Sequence, residues 1–249
     1  MMSEVIEFAK LTWPESVDAV KKMPVCIIPL GAIEPPGLHL PLDTDCRIGL
    51  EKCRRVCAAT GMILMPQIPI GQVYSLYSHA GAMTFKPETL ISVLNDIIMS
   101  CHDRGFRIIF IHSHHGGNGP YIREAMRQSH AKFPELKIVN LHGIEAMKKV
   151  VKDVCGSPVP AALQWHSDEI ETSQALACFT EDIHMDRAIC EYPEQPKDME
   201  YSVYDWSEYF GNCVMGDATK GTKEKGEIFI KTETDYMIEM AEYVMERFL

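Results

Sequence analysis

Long hydrophobic runs are missing from this sequence. The longest, 25–30 and 108–111, fall far short of the ~20 apolar residues that span a bilayer. Residues 1–13, MMSEVIEFAKLTW, carry acids early and hold no continuous apolar segment, so no secretory signal is expected. Basic residues are in deficit: 24 Lys and Arg against 35 Asp and Glu give a formal net charge of -11. A duplex nucleic-acid binder needs a basic face, and an anionic membrane surface would repel this balance. There is no Cys-x-x-Cys pair among the nine irregularly spaced cysteines, which argues against a thiolate zinc cage and for reduced thiols in a cytoplasmic protein. Neither a GxGxxG fingerprint nor a Walker lysine is present. What remains is 249 residues at 46% hydrophobic composition, enough to bury a substantial core as a single domain, 1–249.

Short apolar runs alternate with longer stretches of helical spacing. Residues 25–31 read as a buried strand, 45–59 as a helix with Ile48, Cys53, Val56 and Cys57 on one side, and 62–65 as a second apolar run. Pro87 opens a helix bearing Leu90, Ile91, Leu94, Ile97, Ile98 and Cys101. Strands at 107–112 and 137–141 alternate with helices at 120–130 and 144–154. Such a succession predicts parallel strands joined by crossover helices, a layered α/β domain with functional groups at the carboxyl ends of its strands. Between 181 and about 227 the pattern dissolves into Pro, Gly and aromatics, read as an ordered excursion because Tyr201, Tyr204, Trp206, Tyr209 and Phe210 do not suit disorder. A last amphipathic helix turns Tyr236, Met237, Met240, Ala241, Val244 and Phe248 inward.

Three segments carry chemistry. "IIPLGAIEPPGLHLPLDTD", 27–45, follows an apolar run at once with Glu34, His39, Asp43 and Asp45 on a backbone stiffened by three prolines. Charges beside a core are costly unless paired or bound to a metal. "IFIHSHHGGNGP", 109–120, places His112 and His114 on one strand face, with His115 opposite them or starting a glycine turn. That turn before a helix also suits an anion cradle. In "QWHSDEIETSQALA", 164–177, Ser167 or Asp168 suits an N-cap, and His166 beside Trp165 can project into a cleft. Singly, Asp45 also reads as an N-cap, Glu34 as an ion-pair partner, and His39, His112 and His114 as structural. Together, acids and histidines at two strand ends and a third segment are the ligand types of a divalent-metal hydrolase.

The same segments resemble the creatininase (creatinine amidohydrolase) family. "PLGAIEPPGLHLPLDTD" is similar to its Gly-x-x-Glu-x-His-Gly-x-His-Leu-Pro-x-x-x-Asp signature, "HSHHGGN" to its Asn-Gly-His-Gly-Gly-Asn turn, and "HSDEIETS" to its His-Ala-Gly-x-x-Glu-Thr-Ser helix start. "YSHAGAMTFKPETL" and "VMGDATKGTKEKGE" fit weaker motifs in the same order. The resemblance implies a three-layer α/β/α sandwich with a mostly parallel, Rossmann-like sheet, assembled as a homohexamer. It also implies a binuclear site of Zn, Mn or Fe acting on a small-molecule substrate. Glu34 and His115 match ligands of the first metal, Asp45 the bridging carboxylate, Glu171 a glutamate close to the second metal, and His166 the proton-transfer histidine. Pro36 stands where the family has its second-metal histidine, so one tight ion is expected, with any second ion weakly held. The expected reaction is hydrolysis of a small cyclic amide or related C–N bond. The alternatives are opening of a cyclic diketone, as in an inositol-catabolism branch, or a degenerate, non-catalytic member.

Overall fold

A helix unforeseen in the sequence opens the fold. α1 (Trp13–Lys22) buries only Ala19 and Val20 and is fixed by a capping box between Thr12 and Glu15 with proline in its first turn. The computed structural model describes residues 4–158, 166–199 and 201–249. There follow β1 (Val25–Leu30), α2 (Thr44–Thr60), β2 (Ile63–Leu64), α3 (Pro87–Asp103), β3 (Ile108–Ser113), α4 (Gly119–Lys132), β4 (Lys137–Asn140), α5 (Ile144–Val154) and α6 (Glu169–Cys178). The antiparallel pair β5 (Cys190–Glu191) and β6 (Gly216–Asp217) precedes the closing helix α7 (Lys223–Phe248).

The main sheet runs β2-β1-β3-β4 with every pair parallel. Val25 lies opposite Ile108 and Leu30 opposite Ser113, so β1 and β3 end level with each other. Because side chains alternate along a strand, both faces are apolar. Cys26, Ile28 and Leu30 pack with Leu90, Leu94, Ile98 and Ile122 of α3 and α4. Val25, Ile27 and Phe110 pack with Val56 of α2 and Met237 and Ala241 of α7. Burial of each Val, Leu, Ile, Phe or Met side chain here contributes roughly 1.5–3 kcal/mol. The result is the expected three-layer α/β/α arrangement.

Two expectations need correction. The buried stripe of α7 ends at Val244, and Phe248 in the last turn is 39% exposed, with the Lys137 ammonium 4.3 Å from its ring centre. Within the aromatic excursion, Trp206, Tyr209 and Phe210 pack on Ala32, Val73 and Leu76, whereas Tyr201 is 88% exposed. Among the described residues, no helix is long and apolar enough to cross a membrane.

Candidate active site

The level ends of β1 and β3 set Glu34 and His115 side by side, and the first turn of α2 brings Asp45 against both. Asp43, not Asp45, holds the N-cap position of α2, so the Asp45 carboxylate faces inward at the positive end of a helix. His115 Nε2–H donates to the Gln72 carbonyl at 2.8 Å, which leaves Nδ1 toward the acids, 3.2 Å from Glu34 Oε2 and 3.4 Å from Asp45 Oδ2. Donor atoms of the three residues lie within 4.8 Å of one another. Glu34 and Asp45 are buried, yet Oε2 of the first and Oδ2 of the second accept no hydrogen bond. Buried acceptors without partners are rare because desolvation is then uncompensated.

Charge accounts for the protonation pattern. Burial works to raise the Glu34 pKa, but the neighbouring His115 and His166 bring it below its ordinary value. For His115 burial works downward, and the Glu34 and Asp45 carboxylates overcome it, holding its pKa well above the usual imidazole range. Two acids thus converge on a single imidazole. The cluster is rigidly backed by buried Asn118, which accepts from Gln72 N–H at 2.9 Å and donates to Gly31 O and Ser113 Oγ, each at 3.0 Å. At Gly117 a Cβ would lie 2.4 Å from His115 Nε2, so only glycine lets the turn close over that ring. The glycine turn therefore fits closely around a histidine.

The third segment supplies the opposite wall. Asp168 caps α6, accepting from Ile170 and Glu171 N–H, and burial pushes its pKa up to about 7. Glu169 is satisfied by Gly156 and Ser157 N–H and by Lys225 at 2.5 Å. Of the three acids Asp168, Glu169 and Glu171, it is Glu171 that lines the site. Burial, with Asp45 and Glu34 nearby, raises its pKa well above the carboxylate range, and its Oε2 accepts from Ser167 N–H. Ser167 adopts a left-handed backbone at φ 54, a strain found mainly where geometry is imposed by a site. Next to it, His166 Nε2–H donates to Pro35 O at 3.1 Å, leaving Nδ1 3.6 Å from Glu34 Oε1 and 4.0 Å from Glu171 Oε2. The excursion reaches back here: Trp206 packs edge-on against the His166 ring at 5.3 Å. Gln164 and Trp165 lie outside the described residues.

The other histidines divide by partner. His39 Nε2 is 2.8 Å from Thr172 Oγ1, and burial lowers its pKa to about 4; it braces α6 and has no place in the carboxylate cluster. His112 Nδ1–H donates to Leu141 O at 2.8 Å, while its buried Nε2 has no partner; burial, with Lys52 adding to it, lowers its pKa to about 3. His114 shares the His112 side, and its Nδ1 is 3.2 Å from Lys52 Nζ. Asp45, His114 and Glu171 form a second group whose donor atoms lie within 4.8 Å of one another. Pro36 is buried and offers neither a ligand atom nor an N–H.

Glu34, Asp45, His112, His114, His115, His166 and Glu171 line one cavity of about 580 Å³, which continues past Lys52 and Glu233 to Asn140 and His142. Lys52, Gln72 and Glu233 were not anticipated from the sequence. The signal was available: Lys52 sits at helical spacing between Ile48 and Val56, and Glu233 between Ile230 and Met237, each a charge on a buried stripe.

Comparison with known proteins identifies the family and the fold. A family model described as creatinine amidohydrolase matches residues 9–241. The chain is 25% identical to 3-dehydro-scyllo-inosose hydrolase of Thermotoga maritima, over 98% of this chain and 85% of that one. It is also 25% identical to creatinine amidohydrolase of Pseudomonas putida, over 92% and 94%. Two solved creatininases, one a variant of Zn-Zn type and one described with Mn, share the fold with a TM-score of 0.87 at 22% identity, over 98–99% of this chain and 99% of theirs. The chain belongs to the creatininase family and is a hydrolase of the creatininase type.

Proposed function

We propose that this protein is a metal-dependent hydrolase of a small cyclic amide or related C–N bond, with a divalent cation held by Glu34, Asp45 and His115. One observation carries the reading: two buried carboxylate oxygens without hydrogen bonds converge on an imidazole nitrogen whose ring partner is tied to a carbonyl. That second-sphere tether is the arrangement that orients metal-ligating histidines. A set of two oxygens and one nitrogen suits Zn, Mn or Fe, and related creatininases carry Zn or Mn. When bound, such a cation lowers the pKa of water and polarises a carbonyl.

The chain's own groups supply the rest. His166 has Nε2–H fixed on Pro35 O, so Nδ1 is the atom that takes up and delivers a proton, next to Glu34 and Glu171. Glu171 carries its proton to higher pH than an ordinary glutamate and can give it up when positive charge arrives beside Asp45. His112 Nε2 and the Asn140 side chain offer hydrogen-bonding groups further along the cavity.

A second reading is ring opening of a polyhydroxylated cyclic diketone. It is favoured by the likeness to the inosose hydrolase along 98% of this chain and by a cavity lined with Asn140, His142, Gln174 and Arg123. Assay of metal-loaded protein against creatinine-like cyclic amides and against inosose-type diketones decides between them. Turnover of neither, with bound metal present, contradicts both. A homo-oligomer belongs to the proposal as well, supported by exposed Tyr201, Tyr192 and Val203. Light scattering at micromolar concentration should give a mass well above the 28.1 kDa of one chain, and a clean monomer would refute it.

A further inference from the structure

Between the carboxylate cluster and α7 lies a set of ionisable groups that the proposed chemistry does not use. Lys52 is 1% exposed and sits two turns after Asp45 on the same side of α2, with Gly49 between them. Its ammonium pairs with the buried Glu233 carboxylate of α7 and approaches His114 Nδ1 at 3.2 Å. Lys52 and Glu233 both line the cavity that holds Glu34, Asp45, His115 and Glu171.

We infer that Lys52, held by Glu233, stands in for a second cation: its ammonium claims His114 and closes the Asp45, His114 and Glu171 group to a metal ion. The reason is a count of lone pairs. An ammonium only donates, so the contact at Nδ1 requires that nitrogen to accept. A neutral imidazole that accepts at Nδ1 carries its hydrogen on Nε2. Whichever ring nitrogen of His114 faces Asp45 and Glu171, it has no lone pair to offer: Nδ1 is engaged by Lys52, and Nε2 bears the proton. Metal binding needs a lone pair on the ligating nitrogen. The group that looks like a second metal site by distance therefore lacks its nitrogen donor.

Charge works in the same direction. A fixed ammonium at this depth repels a divalent ion in a medium where the interaction is weakly screened. Lys52 lines the same cavity as Asp45 and Glu171, and its charge is one that dialysis cannot remove. Glu233 keeps the ammonium in place by pairing with it. Pro36, which denies a ligand on the β1 side, and Lys52, which withdraws one on the β3 side, act together. Lys52 is a positioning residue here, acting through His114.

The inference rests on the metal-binding reading of Glu34, Asp45 and His115, and the test separates the two. Metal-free full-length protein is titrated with Co(II), dialysed exhaustively, and its metal counted by mass spectrometry. The unaltered protein should keep one equivalent. Lys52→Met/Glu233→Gln removes both buried charges at once, avoiding an orphaned ion, and should keep two, with second-site affinity raised at least ~10-fold, the scale on which supporting groups act on metal sites. Lys52→Arg, which preserves the charge, should stay at one. Two equivalents in the unaltered protein, or one in the double variant, overturns the inference while leaving the first site standing. No retained metal in any of them overturns the underlying reading and this inference with it. Should the double variant not fold, long-range proton–nitrogen NMR of unaltered metal-free protein decides instead: His114 should be the Nε2–H tautomer, and an Nδ1–H tautomer contradicts the inference.

Discussion

The cavity has two ends that treat charge in opposite ways. At the end built from β1, the start of α2 and the β3 turn, Glu34 and Asp45 bring buried oxygens without donors to one imidazole. At the other, Lys52, Glu233 and His114 satisfy one another with a permanent cation from the chain itself. The two lie on one face of α2, two turns apart, Asp45 to Lys52. Burial alone therefore does not mark a metal site. Converging carboxylate oxygens without hydrogen bonds do, because they leave a desolvation cost that an added cation offsets.

Breaking the first end should have the largest effect. Asp45→Ala removes a donor at the point of convergence, and retained metal and hydrolysis should fall by more than the roughly 10–100-fold that loss of a supporting group costs. His39→Ala, which removes a side chain bonded to Thr172 and outside the carboxylate cluster, should keep its metal. Equal metal loss in two folded variants would show the ligands to be misassigned. His166→Gln should retain metal and lose roughly 10²–10⁴-fold in kcat, the range for a general acid or base. Metal loss in that variant would instead make His166 a ligand.

Smaller effects sharpen the contrast between site and scaffold. His39 is held neutral, with its pKa lowered to about 4 by burial against 6.5 unfolded. Below pH 6.5 the unfolded chain binds the extra proton and the folded one does not, so stability falls as pH falls through this window. Between pH 6.5 and 5 the loss from this group is about 2 kcal/mol. Denaturant titrations at the two pH values should show it, and His39→Gln, which can still bond Thr172, should flatten the slope. An unchanged slope would remove His39 from the account of acid sensitivity. The smallest effect is expected at Gly49, between the two ends. A Cβ there meets His114 at 3.6 Å, an ordinary contact, so Gly49→Ala should stabilise α2 by about 0.5–1 kcal/mol without altering metal content. Destabilisation would show that α2 and the β3 turn need a closer approach than their static spacing indicates.

Much of this fold was legible because its signals are apolar and periodic. The runs at 25–31 and 107–112 became β1 and β3 within a residue at either end, and Pro87 starts α3. α1 escaped notice because it buries only two side chains; its signature is the cap at Thr12 rather than a stripe. In the site, Glu34, Asp45, His115, His166 and Glu171 were visible as acids and histidines clustered at strand and helix ends, and the structure brings all five together. Lys52 and Glu233 were not, since a lone charge within a helical pattern reads as solvated until tertiary packing closes both faces. Their partnership links positions 181 residues apart in sequence, with no local trace. Pro36 told of a missing ligand, but what occupies the vacated role depended on which helix crosses behind His114.

The most direct test is metal content in protein purified without added metal. About one equivalent of a divalent metal per chain is expected, with hydrolysis lost on chelation and restored by the same ion. Fully folded protein that carries no metal, gains none on addition, and still hydrolyses an amide or diketone would contradict the assignment of Glu34, Asp45 and His115 as the metal-binding centre.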